Sequence, residues 1–92
     1  MRIIFDPAKS ARNAAERDLP FERAEDFEFD AALIDADERR DYGEARYVAL
    51  GFLDERLHVL CFCKVPGGIR VISLRRANKR EIRNYEQACE EE

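Results

Sequence analysis

An α+β domain is what this sequence predicts, and three observations predict it. Apolar segments of strand length and alternating character fill residues 46–74. Short turn signals, Asp54-Glu55-Arg56 and Pro66-Gly67-Gly68, separate them, which implies antiparallel pairing. Helix-start signals, Asp6-Pro7 and Asn78, flank this block on either side. The 92 residues suffice for one hydrophobic core, so residues 1–92 read as a single domain.

Arg2–Phe5 reads as a first strand, with Ile3, Ile4 and Phe5 apolar. Asp6 as N-cap and Pro7 at the first helical position open a helix over residues 7–17, and Ala8, Ala11, Ala15 and Leu19 supply its apolar stripe. Pro20 ends it. Phe21, Ala24 and Phe27 lie three apart and predict a short second helix over residues 20–28. Ala31–Asp35 is strand-like, and Asp37–Tyr42 is a polar loop. Arg46–Leu53 alternates, with Val48, Leu50 and Phe52 on one side and Tyr47, Ala49 and Gly51 on the other. Leu57–Val65 is continuously apolar, as in a central strand, and Ile69–Leu74 is the last strand. Asn78 caps a final helix over 79–90, with the stripe Ile82, Tyr85 and Cys89. The predicted order is strand, two helices, an antiparallel twisted sheet and a C-terminal helix.

Composition narrows the function classes. A 46% hydrophobic and 39% charged chain is globular rather than disordered. No apolar run approaches the ~20 residues of a membrane span, and residues 1–6 do not resemble a signal peptide. Three cysteines, Cys61, Cys63 and Cys89, make no disulfide framework. They read as buried thiols in a reducing cytosol, and one His without a CxxC pair argues against zinc. The expected location is therefore cytoplasmic, with no metal and no other cofactor.

The charge is uneven. Residues 1–44 hold 7 Lys/Arg and 13 Asp/Glu, a net of −6, while residues 45–92 hold 9 and 7, a net of +2. Between Lys64 and Arg83 seven basic residues stand against the single acid Glu81. A local field of this kind, rather than the total of −4, decides whether phosphate is attracted. The acidic half equally suits a basic partner.

No common enzyme motif appears: no Gly-rich phosphate loop, no HExxH, and no Ser/His/Asp set. What remains is the basic cluster Arg70, Arg75, Arg76, Lys79, Arg80 and Arg83. Strict alternation puts Arg70 and Arg76 on one strand face and Arg75 on the other. On the final helix Lys79 and Arg83 share a face. Guanidinium groups converging where strand meets helix suit a phosphate backbone and the charge of a pentavalent phosphate transition state. The same arginines also fit a solvated strand end. His58 in its apolar strand reads as structural, Tyr85 as core, and Glu44 with Arg46 as either an ion pair or part of a site.

The stretch Arg70-Val71-Ile72-Ser73-Leu74-Arg75-Arg76-Ala77, followed by Glu81 and Tyr85, resembles the closing motif of the BrnT family of toxins. That motif runs Arg-x-Ile-Ser-x-Arg-x-Ala, then Glu and Tyr four apart. Phe5-Asp6, Lys9 and Asn13 are similar to the family's opening. Phe21-Glu22 with Ala24, and Glu44-Ala45-Arg46 with Gly51, are similar to its middle. The resemblance covers about residues 3–86, carried by order and spacing rather than by one piece. One departure stands out: where the family usually has Lys-His-Gly, this chain has Glu16-Arg17-Asp18, so any task of that His falls to other groups.

The resemblance implies a compact RelE-like fold and a toxin of a bacterial type II toxin–antitoxin pair. It implies a metal-independent endoribonuclease that blocks translation by cutting RNA, the ribose 2′-OH attacking the adjacent phosphate. The implied partner is a BrnA-like antitoxin, two toxins around an antitoxin dimer, with DNA contacted only through that antitoxin. Carried over, Arg75 and Arg76 hold the scissile phosphate, Arg46 or Lys9 assists proton transfer or grips the backbone, and Arg70, Lys79 and Arg83 position RNA. The alternative is a non-catalytic protein-binding module of a small regulatory complex. A third reading, a nucleic-acid binder without cleavage such as a repressor, is opposed by the acidic N-terminal half.

Overall fold

The computed structural model describes residues 1–38, 41 and 43–91. In chain order these form β1 (Arg2–Ile4), α1 (Pro7–Arg17), two 3₁₀ segments (Phe21–Asp26 and Phe29–Ala31), β2 (Leu33–Ala36), β3 (Tyr47–Leu53), β4 (Arg56–Val65), β5 (Gly68–Arg76) and α2 (Lys79–Glu90). The α+β reading holds. The predicted loop over 37–42 includes residues 39, 40 and 42, which lie outside the described residues.

Five strands make one sheet in the order β1-β5-β4-β3-β2. The pairs β2–β3, β3–β4 and β4–β5 are antiparallel, as the turns imply. β1 joins the edge of β5 in parallel, so the sheet is mixed rather than wholly antiparallel. No hairpin joins β1 to β5, so no local turn declares their relative direction. Gly68 makes the pairing possible: a Cβ there would stand 1.8 Å from the carbonyl oxygen of Arg2.

Two predicted elements differ in kind. The second helix is 3₁₀, and the period of three in Phe21, Ala24 and Phe27 is the period of that helix, so the two rings and the methyl share one buried face. The residues predicted to start a strand at Ala31 close the second 3₁₀ segment, and β2 begins at Leu33.

The core lies on one face of the sheet. Ala49, Leu53, Leu60, Phe62, Ile69, Val71 and Leu74 pack there against Leu19, Phe21, Ala24 and Phe27. Gly51 lies on this face, where a Cβ would come within 2.8 Å of the Phe27 ring and 2.9 Å of Ala32.

α1 joins the core layer by an unexpected side. Ala8, Ala11 and Ala15 are exposed, and Ser10 is the buried residue. Ser10 Oγ accepts from the Phe21 amide at 2.8 Å and donates to Glu22 at 3.1 Å. Asn13 Nδ2 donates to the carbonyls of Leu19 and Leu74 at 2.6 and 2.8 Å. Polar side chains turn inward because they satisfy backbone groups that the core would otherwise strand.

The ladder between β4 and β5 slips once. Cys61 pairs with Ser73, but Phe62 pairs with Val71, leaving Ile72 as the extra residue of a bulge. α2 crosses the second face of the sheet at one end. Its N-terminus carries a full capping box between Asn78 and Glu81. Tyr85 packs edge-on to Phe52 and donates its hydroxyl to the carbonyl of Ala31 at 2.7 Å. Ile82 and Cys89, expected on a buried stripe, are exposed and line a groove of about 720 Å³ beside Phe52 and Leu57. Among the described residues, no helix is long and apolar enough to cross a membrane.

Candidate active site

Opposite the core, the second sheet face carries a cleft of about 620 Å³. Its floor is Val48, Val59, Cys61, Ile72 and Ser73, contributed by β3, β4 and β5. Arg46 and Arg75 rise from it, and the carboxylates Asp35, Asp37, Glu38 and Glu81 line its sides. The bulge decides which arginines arrive here. Arg70 pairs with Cys63 and Arg75 with Val59, and cross-strand partners point to one side. Arg70 and Arg75 therefore share the cleft face, and Arg76, opposite His58, turns to the other face. This corrects the expectation from strict alternation, which separated Arg70 from Arg75.

Arg75 is held by a two-pronged ion pair. Its Nη1 and Nη2 donate to Glu81 Oε1 and Oε2 at 2.8 and 2.9 Å, and Nη1 also donates to the Arg76 carbonyl at 3.2 Å. The hydrogen bonds from Arg75 hold the Glu81 carboxyl below the usual carboxylate range, against a smaller opposing effect of burial. Arg46 is half-buried at the start of β3. The Asp37 amide donates to its carbonyl at 2.7 Å, which binds the acidic wall to the arginine wall.

Further along the same face, Glu44 bridges two cations. It pairs with Arg70 and lies 3.8 Å from Arg46 Nε. Arg70 Nη2 also approaches Cys63 Sγ at 3.6 Å. Burial, followed by the Glu44 carboxylate, pushes the Cys63 thiol up. Cys61 and Cys63 are buried as expected, while Cys89 is exposed.

The remaining sequence candidates lie elsewhere. Lys9 is exposed on α1, which belongs to the core layer on the opposite face, so it does not join the cleft. Lys79 and Arg83 are exposed on α2 beyond the cleft lining. Arg76 and Arg75 line a neighbouring depression with Glu16, Arg17 and Asp18, the segment that departs from the family pattern. The single histidine, His58, is buried, and its Nδ1–H donates to the Arg56 carbonyl at 2.8 Å. It is buried in its strand, as the sequence pattern suggested, and does not line the cleft.

Sequence reasoning did not assign Glu81, Asp35, Asp37 or Arg17 to the site. For Glu81 the signal was present: an acid three residues after Asn78 marks a capping box. For the aspartates there was none, because only the β2–β3 register brings residue 35 beside Val48.

The fold and cleft define an α+β domain that presents paired guanidinium and carboxylate groups on an open sheet face. Residues 5–81 match the family model described as ribonuclease toxin, BrnT, of type II toxin-antitoxin system, and the chain belongs to that family. No curated protein and no solved structure matches it.

Proposed function

We propose that this chain is a metal-independent endoribonuclease whose cleft on the second sheet face binds single-stranded RNA. The observation that carries the reading is that Arg46 and Arg75 line one cleft, with the Arg75 guanidinium fixed in orientation by Glu81. In the proposed reaction the ribose 2′-oxygen attacks the adjacent phosphorus and the bond to the 5′-oxygen breaks. The products are a 2′,3′-cyclic phosphate and a 5′-hydroxyl. Arg75 neutralises the charge that builds on the non-bridging oxygens, where fixed donors act most strongly. Arg46 grips the phosphate from the β3 side. Arg76 holds a flanking phosphate at the depression beside Arg17, while Arg70, Lys79 and Arg83 draw the backbone in. Lys9 is assigned no part in the chemistry. His58 is buried outside the cleft lining, so the acid–base work of the proposed site does not rest on it. Aligning the phosphate and stabilising its charge are therefore the main contributions.

In the cell the proposed consequence is arrest of translation in the cytoplasm. A BrnA-like antitoxin relieves it in a complex of two toxins around an antitoxin dimer, and DNA is contacted only through the antitoxin. Induction in a bacterium, with and without the neighbouring open reading frame, tests both halves. Growth arrest with RNA loss, relieved by the neighbour, is expected. Purified protein should cleave RNA in excess chelator and fail to do so as Arg75→Ala. Normal growth with intact RNA, despite soluble folded protein, would favour a non-catalytic binding module.

A further inference from the structure

Glu81 does two things with one carboxylate. As the third residue of α2 it accepts from the Asn78 amide through Oε1 at 2.9 Å, while Asn78 Oδ1 accepts from the Glu81 amide at 2.8 Å. The same Oε1, with Oε2, takes the Nη1 and Nη2 donors of Arg75. The residue that starts α2 is therefore also the residue that sets the plane of the cleft arginine.

The geometry of guanidinium makes that plane matter. Its five N–H donors form two parallel pairs in a rigid, flat group. One pair, across the end of the group, faces Glu81. The remaining Nη1 hydrogen faces the Arg76 carbonyl. Pinning the end of the flat group fixes its plane, and only with that plane fixed does the arginine meet a transition state without reorganising.

We propose that Glu81 is a positioning residue for Arg75, its carboxylate fixing the plane of the guanidinium in the cleft and coupling the first turn of α2 to the cleft. This rests on the reading of Arg75 as the phosphate-holding group. Glu81 itself touches no reacting atom; it acts through Arg75.

Two substitutions separate this role from helix capping. Glu81→Gln keeps an acceptor for the Asn78 amide, since Gln serves in a capping box as Glu does, but it replaces the charged two-oxygen fork by a single neutral oxygen. Asn78→Ala removes the other half of the cap and leaves the fork. The full-length chain is assayed on a single-stranded RNA, with kcat and KM separated, thermal melting recorded, and the Arg75 side-chain ¹⁵N–¹H signals followed by NMR. For Glu81→Gln the expected result is a kcat lower by about 10–100-fold and a nearly unchanged KM, with a Tm lowered by the loss of the ion pair but a chain still fully folded at the assay temperature. The separate Arg75 Nη signals should merge as rotation about the Cζ–N bonds is freed. For Asn78→Ala the expected result is a Tm lower by about 4–8 °C, with kcat and the Arg75 signals retained below melting. Glu81→Gln at the wild-type rate, beside an inactive Arg75→Ala, overturns the proposal. Equal loss of activity in the two variants also overturns it, because the cap alone then explains the effect. If the wild-type chain cleaves no RNA while the Arg75 signals still merge in Glu81→Gln, the ribonuclease reading of the cleft fails and the positioning stands.

Discussion

Arg70 and Arg75 project from the same face of β5 although five positions separate them, because the strand slips by one residue at Ile72. Their environments then divide their tasks. Arg70 is paired with Glu44 and lies beside Cys63, outside the cleft lining; Arg75 stands inside it, gripped by Glu81. Arg75→Ala is expected to lower kcat by about 100-fold or more, the usual cost of removing a fixed donor from a developing oxyanion. Arg70→Ala should raise KM a few-fold and leave kcat alone. A single-turnover RNA cleavage assay distinguishes these, and an equal kcat defect in both variants would remove the distinction.

Asn13 is expected to matter more to stability than any alanine of its helix. Its amide bridges the carbonyls of Leu19 and Leu74, tying α1 to the chain that follows it and to strand β5. Asn13→Ala strands both carbonyls in a part-buried place and should cost about 2 kcal/mol. Ala11→Gln, on the exposed stripe, should change stability by less than about 0.5 kcal/mol. Urea denaturation of the two variants checks the order, and a reversed order would restore the alanine stripe as the packing face.

What the sequence made legible follows from how locally each feature is encoded. The hairpins around Asp54-Glu55 and Pro66-Gly67 were readable because two residues decide each turn. The parallel β1–β5 pair was not, because its partners lie more than sixty positions apart and only Gly68 hints at the close approach. The bulge is written faintly in the spacing of Ile69, Val71 and Leu74, where buried positions jump by three instead of two. Read by alternation alone, that slip sends Arg75 to the wrong face. The inward side of α1 was hidden because hydrophobic periodicity marks alanines, whereas Ser10 and Asn13 are held by hydrogen bonds. Arg46 and Arg75 were legible as cations of one site; the carboxylates facing them belong to segments brought together only by the register of the sheet.

Two strained positions offer stabilising changes. Asp18 ends α1 at φ 58, ψ 33, and Glu55 sits at φ 67 in the β3–β4 turn beside Asp54 at φ 51. Glycine takes these left-handed angles without a Cβ clash, and at the end of α1 it also removes a negative charge from the negative end of the helix dipole. Glu55→Gly and Asp18→Gly are each expected to stabilise the chain by about 1 kcal/mol. Thermal melting checks both, and a lower Tm in either variant would mean that the side chain makes a contact worth more than the strain. Asp54 is the wrong residue to change in the turn, since it pairs with Arg23.

Acid should loosen α2 through Glu81. Its carboxyl is held below the ordinary value of 4.5, first by the hydrogen bonds from Arg75. A lowered folded pKa means that the unfolded chain binds more protons over the interval between the two values, so stability rises with pH there. The contribution is complete above about pH 4.5 and is lost as pH falls through the folded value. In Glu81→Gln there is no such group to titrate, so its stability should fall less steeply over the same interval. Melting temperatures measured from pH 6 down to pH 3, at fixed salt, compare the two slopes. Tyr85 fluorescence should change alongside, because the Phe52–Tyr85 contact and the Arg75–Glu81 pair fasten the same helix to the sheet. Parallel acid slopes in the two proteins would show that the pair adds nothing to the hold on α2, and that Tyr85 alone anchors it.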